Sequence, residues 1–219
     1  MSARVKLGVI GVIGVIGIVL IGFMLPVQAG MEVFKNGTAI KGYGKIAAVD
    51  SQLSIPQNTV FKVVFDMSKA ANAGEVNRNL NTLARFINMH VAAGVKPENI
   101  QLAMVVHGAS VADLANDEFY DQFYLAKQSK QGQQLNQTNK STKTADTRVS
   151  TVNEAKFANA NKDLVSQLVN HGVKIYICGQ SAAYYELNNT SLLPGVDMAL
   201  SAMTAHAILA QQGYSLNPF

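Results

Sequence analysis

With 219 residues, 48% of them hydrophobic and 15% charged, the chain is long enough to bury one full core, and its composition excludes a disordered coil. Its net charge of +4 is local: residues 127–148 hold five Lys/Arg against Asp146 alone, without an interleaved aromatic, so no nucleic-acid module is recognisable and no nucleic-acid partner is expected. A single cysteine excludes an internal disulfide framework and a dithiol redox pair.

Arg4 and Lys6 open a positive n-region, residues 7–25 are uncharged, and "VQA" at 27–29 has the small-residue shape of a signal-peptidase site. The expectation is a secretory leader, residues 1–29, cleaved after Ala29 and delivering a periplasmic protein. The uncharged run exceeds the ~7 to 15 residues of a usual h-region and approaches the ~20 that span a bilayer. An uncleaved inner-membrane anchor is therefore the open alternative, and only in that case is a membrane a partner. No second long apolar run follows, which excludes a multi-span protein.

Residues 30–58 are Gly-rich and broken by Pro56, with "KGYGKIAAV" the only strand-like piece, and are expected to wrap the domain as an extended arm. "TVFKVVFDM" at 59–67 is apolar at nearly every position, as a buried strand requires. Over 75–93, Val76, Leu80, Leu83, Ala84, Ile87 and Val91 recur at three and four and predict a helix stopped by Gly94. "IQLAMVV" at 100–106 is the second buried strand and ends in His107 and Gly108. A helical region is expected from Val111 through "DEFYDQFYLAK", then a polar insertion loop over 129–150. A helix is expected over 154–169, and "HGVKIYI" leads directly to Cys178. A short helix near Ser181, a strand-like "LLPGVDMAL" and a last helix, "SAMTAHAILAQQ", complete the chain. Strands alternating with helices predict an α/β fold: an open parallel sheet in a three-layer, flavodoxin-like sandwich over 59–219.

In such a sheet the functional crevice lies outside the carboxyl ends of the strands, and Cys178 falls there. Gly179 leaves its backbone unshielded, and "QSAA" opens a helix whose positive end would stabilise a thiolate. Three readings stay open for Cys178: a reactive thiol, a small buried hydrophobe and an intermolecular disulfide. His107, if its strand lies beside that of Cys178, faces the same crevice as a candidate base, with satisfaction of loop backbone near Gly108 as its structural alternative. Gly108, Gly179, Gln180 and Ser181 are the candidate binding residues around the thiol.

The stretches "VVHGASV", "KIYICGQSAAYYE" and "LLPGVDMALSAMTAHAILAQQGYSLNPF", with "GYGKIAAV" and "FKVVFDM" upstream, resemble the DsrE/DsrF-like proteins, specifically exported single-domain members. The resemblance covers residues 40–219 and is specific at Cys-Gly-Gln-Ser. It implies a parallel-sheet α/β fold, assembly into trimers or hexamers, and, as in sulfur-relay members, a cysteine that carries sulfane sulfur as a persulfide. Only Cys178 transfers as that carrier; where relay members often place an Arg-Gly pair, this chain has "AYYELNN". Donor or acceptor proteins, or small thiols, are the implied partners, and no cofactor is implied. The alternative reading is a non-catalytic periplasmic binding or assembly module with a buried structural cysteine.

The remaining polar residues are expected to be structural. His206 should be packed and hydrogen-bonded, and His90 and His171 should sit exposed near helix ends. Asp66 should cap the next turn through Ser68, Ser181 should be the helix N-cap, and Tyr184 and Tyr185 should pack or line the crevice. No histidine pair has metal-ligand spacing, and no metal is expected. "GQSAA" lacks the final glycine of a nucleophile elbow.

Overall fold

The computed structural model describes residues 30–138 and 157–217, and the fold belongs to the compact unit Glu32–Phe219. The expected leader therefore lies outside the described residues, as does the 139–150 part of the expected loop. Among the described residues no helix is long and apolar enough to cross a membrane.

Five strands form one parallel sheet in the order β4-β3-β2-β1-β5: β1 Phe61–Met67, β2 Ile100–Val106, β3 Lys174–Cys178, β4 Val196–Ala199 and β5 Ser215–Asn217. The central strands are buried on both faces, which is why they read as continuous apolar runs. On one face Val63, Phe65, Met67, Leu102, Met104, Ile175 and Ile177 pack against α1 (Arg78–Ala92), α3 (Lys162–Asn170) and the short α4 (Gly179–Tyr184). On the other face, among the described residues, Val64, Ala103 and Val105 pack with Ala205 and Leu209 of α5 (Ala202–Gln211) and with Tyr214. This is the three-layer α/β arrangement, with a thick layer on one side and a single ten-residue helix on the other.

Several boundaries differ from the sequence reading. Helix α1 begins at Arg78 rather than near 75, because the Asn77 side chain accepts from Asn79 N at 2.8 Å and caps it there. A 3-10 turn, Gly108–Leu114, replaces the helix expected from Val111. Helix α2 runs Asp117–Thr138, so the first part of the expected loop is helical instead. Gln and Lys are good helix formers, and their polarity alone does not end a helix already nucleated. Helix α3 starts at Lys162; residues 157–161 of the expected helix are not helical, since Asn159 and Asn161 are used up in buried turn contacts, and 154–156 lie outside the described residues. Strand β5 was not expected, and "KGYGKIAAV" makes only the isolated bridge Lys35–Ile46.

A buried polar knot joins the segment after β1 to α1, α2 and the approach to α3. Asp113 accepts from Ala71 N at 2.9 Å and from Asn77 Nδ2 at 2.6 Å, with the Tyr124 hydroxyl at 3.3 Å; Asn161 Oδ1 accepts from Asn77 N at 2.7 Å. Burial pushes the Asp113 carboxyl above its usual value, although the donors from Ala71, Asn77 and Tyr124 and the charge of Lys127 oppose the rise. The folded state thus holds this proton more tightly than the unfolded chain, so its contribution favours folding at low pH and is lost as pH rises through the raised value. Asp113→Asn preserves an acceptor and removes the charge. Its stability relative to wild type, from urea midpoints, should improve as pH rises through that window. Asp113→Ala should cost about 3 kcal/mol at low pH, because the donors of Ala71 and Asn77 are left buried and unpaired, and less as pH rises through the same window.

Candidate functional site

Register places the site. In parallel strands, partners on one rung point to the same face and alternate residues switch face. Val64, Ala103, Val105, Tyr176 and Ala199 all belong to the α5 side. Asp66 continues that face on β1, His107 on β2 and Cys178 on β3, each at the carboxyl end of its strand. The last paired rung of β2 and β3 is Val106 with Ile177, and His107 and Cys178 each follow it directly at the ends of these adjacent strands. Cys178 itself is paired with Ala199 of β4.

Cys178 is the residue preceding α4, with φ −66° and ψ 113°, and Ser201 caps α5 by accepting from Thr204 N at 3.0 Å. The starts of both helices converge on the sulfur. Burial raises the thiol pKa, but the N–H and hydroxyl of Ser181 and the N–H groups of Ala202 and Gln180 outweigh it and hold the thiol below its ordinary value. Cys178 makes no closed capping hydrogen bond, so these groups act on the sulfur as oriented dipoles. Ser181 links this cluster to β2, since its Oγ accepts from Gly108 N at 2.9 Å. Ser181 therefore lies inside α4 rather than at its N-cap, a position that Cys178 holds. Gln180 Nε2 donates to Leu200 O at 3.2 Å and bridges the two helix starts. Gly179 is required by contact: a Cβ there would lie 2.7 Å from Ala199 O.

Asp66 does not cap a turn through Ser68. Its Oδ2 is 2.9 Å from His107 Nε2 and its Oδ1 is 2.8 Å from His206 Nε2, so one carboxylate joins two histidines from β2 and α5. Burial raises the Asp66 pKa, but the hydrogen bonds and charge of His206 and His107 carry it below the usual carboxylate value. The expected packed, hydrogen-bonded character of His206 is observed. His171 is exposed at the end of α3, whereas His90 is half-buried, stacked on Phe86 with its Nδ1 2.7 Å from Phe86 O. Among the described residues no three His, Cys, Asp or Glu are grouped to hold a metal ion. Tyr184 is exposed and Tyr185 packs against Phe123.

Cavity volume points elsewhere. A groove of about 1090 Å³ lies between the 32–55 segment and the end of α1, lined by Val33, Ile46, Val49, Ile55, Met89 and Ala93, and it contains none of the carboxyl-edge residues. The candidate site is marked by the groups that lower the Cys178 thiol pKa and not by cavity volume. Cys178 is 6% exposed, whereas Gln180 and Leu200 at the two helix starts are both exposed.

Sequence reasoning named Cys178, His107, Gly108, Gly179, Gln180 and Ser181 as candidates, and the fold brings all six to one edge. It missed the pairing of Asp66 with His206, 140 residues apart. The available signal was the lone carboxylate inside the apolar run "FKVVFDM".

A five-stranded parallel α/β domain with one polarised thiol at its carboxyl edge is the class defined by these features. The chain belongs to the DsrE/DsrF-like family, whose model matches residues 60–218. Membership suggests a sulfur-relay role at the level of the family only. Solved structures similar to this chain include a protein of unknown function, MTH1491, from Methanobacterium thermoautotrophicum, at 15% identity over 73% of this chain and 99% of that one, with a TM-score of 0.45. The ychN protein from E. coli is similar at 12% identity over 73% of this chain and 100% of that one, with a TM-score of 0.43. No match was found among curated proteins.

Proposed function

We propose that the protein carries sulfane sulfur as a persulfide on Cys178. The observation that carries this reading is the convergence of the α4 and α5 starts on the sulfur, which favours the thiolate, the species that attacks. The Cys178 proton passes to His107, and the thiolate attacks the outer sulfur of a donor persulfide R–S–SH. A Cys178 S–S bond forms as the donor S–S bond breaks, and R–S⁻ recovers the proton from His107, leaving Cys178–S–SH and R–SH. An acceptor thiolate then removes the outer sulfur by the same exchange. With no second cysteine in the chain, delivery is to another molecule.

Export is part of the proposal and rests on the leader-like residues 1–29. So is a homo-oligomer, a trimer or hexamer, supported by the apolar outer side of α5, where Met203 is 79% and Ile208 48% exposed. The alternative of a binding module with a structural cysteine draws on the small exposure of Cys178.

One set of mass measurements tests the reading. After exposure to an inorganic polysulfide donor, the exported protein should gain sulfur at Cys178, and Cys178→Ser should gain none. Native mass should give three or six subunits, and the denatured mass should lack residues 1–29. Absence of any adduct on the native protein, with alkylation of Cys178 only after unfolding, overturns the carrier and favours the structural cysteine.

A further inference from the structure

The carboxylate shared by two histidines decides more than local stability, because one of its histidines has no freedom of tautomer. His206 Nδ1 is buried without a hydrogen-bond partner. A hydrogen on that nitrogen would be a buried donor with no acceptor, which is costly, so the ring carries its hydrogen on Nε2, the atom 2.8 Å from Asp66 Oδ1. Asp66 Oδ2 is left for His107 Nε2, 2.9 Å away. An ionised carboxylate only accepts, so His107 must donate from Nε2. Its other nitrogen, Nδ1, makes no hydrogen bond among the described residues and, in the neutral ring, carries a lone pair. That nitrogen belongs to the residue that follows β2, the strand adjacent to the one that ends in Cys178.

We infer that Asp66 and His206 are positioning residues that hold His107 in the tautomer whose Nδ1 accepts a proton from Cys178. The inference rests on the sulfur-carrier reading for its purpose, but its geometry does not depend on that reading. The low pKa of Asp66 agrees with it, since the carboxylate is then ionised and acceptor-only. Proton balance is simple: the thiol hydrogen moves to His107 Nδ1, Nε2–H stays on Asp66, and the resulting imidazolium is neutralised by that carboxylate until the leaving thiolate takes the proton back. The other ionisable groups of this sheet face, Lys62, Lys174, Tyr176 and Asp197, lie on rungs nearer the amino edge than the row of Cys178.

Asp66→Asn is the discriminating change. His206 can donate only from Nε2, so it claims the amide oxygen, and the amide NH₂ then faces His107 Nε2. That nitrogen must become the acceptor, the hydrogen moves to Nδ1, and the lone pair there disappears. Nitrogen NMR of the imidazoles should show His107 as Nε2–H in the wild type and Nδ1–H in Asp66→Asn. Sulfur transfer from a small persulfide donor should slow by about a hundredfold, the lower range for loss of a general base. Adding His206→Ala frees the amide to rotate, so the double variant should regain the Nε2–H tautomer and recover at least about tenfold of the lost rate. A purely structural role predicts no such rescue.

A wild-type His107 found as Nδ1–H overturns the inference, as does an Asp66→Asn protein whose tautomer is unchanged. A flipped tautomer without a slower transfer also overturns it. If Asp66→Asn does not fold, the wild-type tautomer alone decides. If wild-type Cys178 takes up no sulfur, the carrier reading fails by itself, while the NMR comparison still tests the positioning.

Discussion

Gly179→Ala should raise the thiol pKa of Cys178 and destabilise the protein by about 2 kcal/mol, within the range for inserting a methyl group into packed backbone. The new Cβ would sit 2.7 Å from Ala199 O and 3.1 Å from Leu200 O. Both obstacles are backbone, so no rotamer change relieves them, and the corner joining β4 to α5 must move outward. That corner carries Ala202, whose N–H is one of the dipoles lowering the thiol pKa. Loss of one helix start from the sulfur removes a stabilisation of roughly 1 kcal/mol, equivalent to about fivefold less thiolate at a pH below the pKa. The pH dependence of alkylation by a small neutral reagent reads this directly: the rising limb should move to higher pH. Cys178→Ser has no such limb and serves as the blank. An unmoved limb in a destabilised Gly179→Ala protein would mean that α5 does not act on the thiol.

Most of the sheet was legible because β1 and β2 are buried on both faces and their sequences have no alternation to misread. The placement of Cys178 was legible for the same reason, since a strand that ends at a Gly-containing turn exposes its last residue at the carboxyl edge. β5 was not legible: Ser-Leu-Asn is three residues long and mostly exposed, and it becomes a strand only because β1 offers an open edge. The polar half of α2 was misread from composition, although its Gln and Lys residues have good helix propensity. The pairing of Asp66 with His107 and His206 depends on which strands are neighbours and on where α5 crosses. Neither follows from spacing along the chain, yet the face of Asp66 and His107 does follow once the two strands are set in register.

The segment over 30–58 provides the second large effect, through Asn88, which makes more hydrogen bonds to it than Asn81, Arg85 or Gln167 does. Asn88, on the buried side of α1 and 1% exposed, accepts from Ile40 N at 2.9 Å and donates Nδ2 to Ile40 O at 3.1 Å, Tyr43 O at 3.0 Å and Gly44 O at 3.2 Å. It thereby substitutes for the strand pairing that this Gly-rich segment lacks, and it seats Ile40 fully in the core. Asn88→Ala leaves an N–H and three carbonyls of the arm without this partner, and should cost about 3 to 5 kcal/mol. Asn88→Asp should be worse, because the acceptor for Ile40 N survives while a buried negative charge faces three carbonyl oxygens. Urea unfolding gives the loss, and limited proteolysis shows where it falls: cleavage within 30–58 should precede cleavage of the sheet. The thiol dipoles belong to the starts of α4 and α5, far along the chain from this contact, so the folded fraction of Asn88→Ala should keep the wild-type alkylation profile. A changed profile would show that the arm and the carboxyl edge are coupled through α1 and β1, and that the site is not set by its own corner alone.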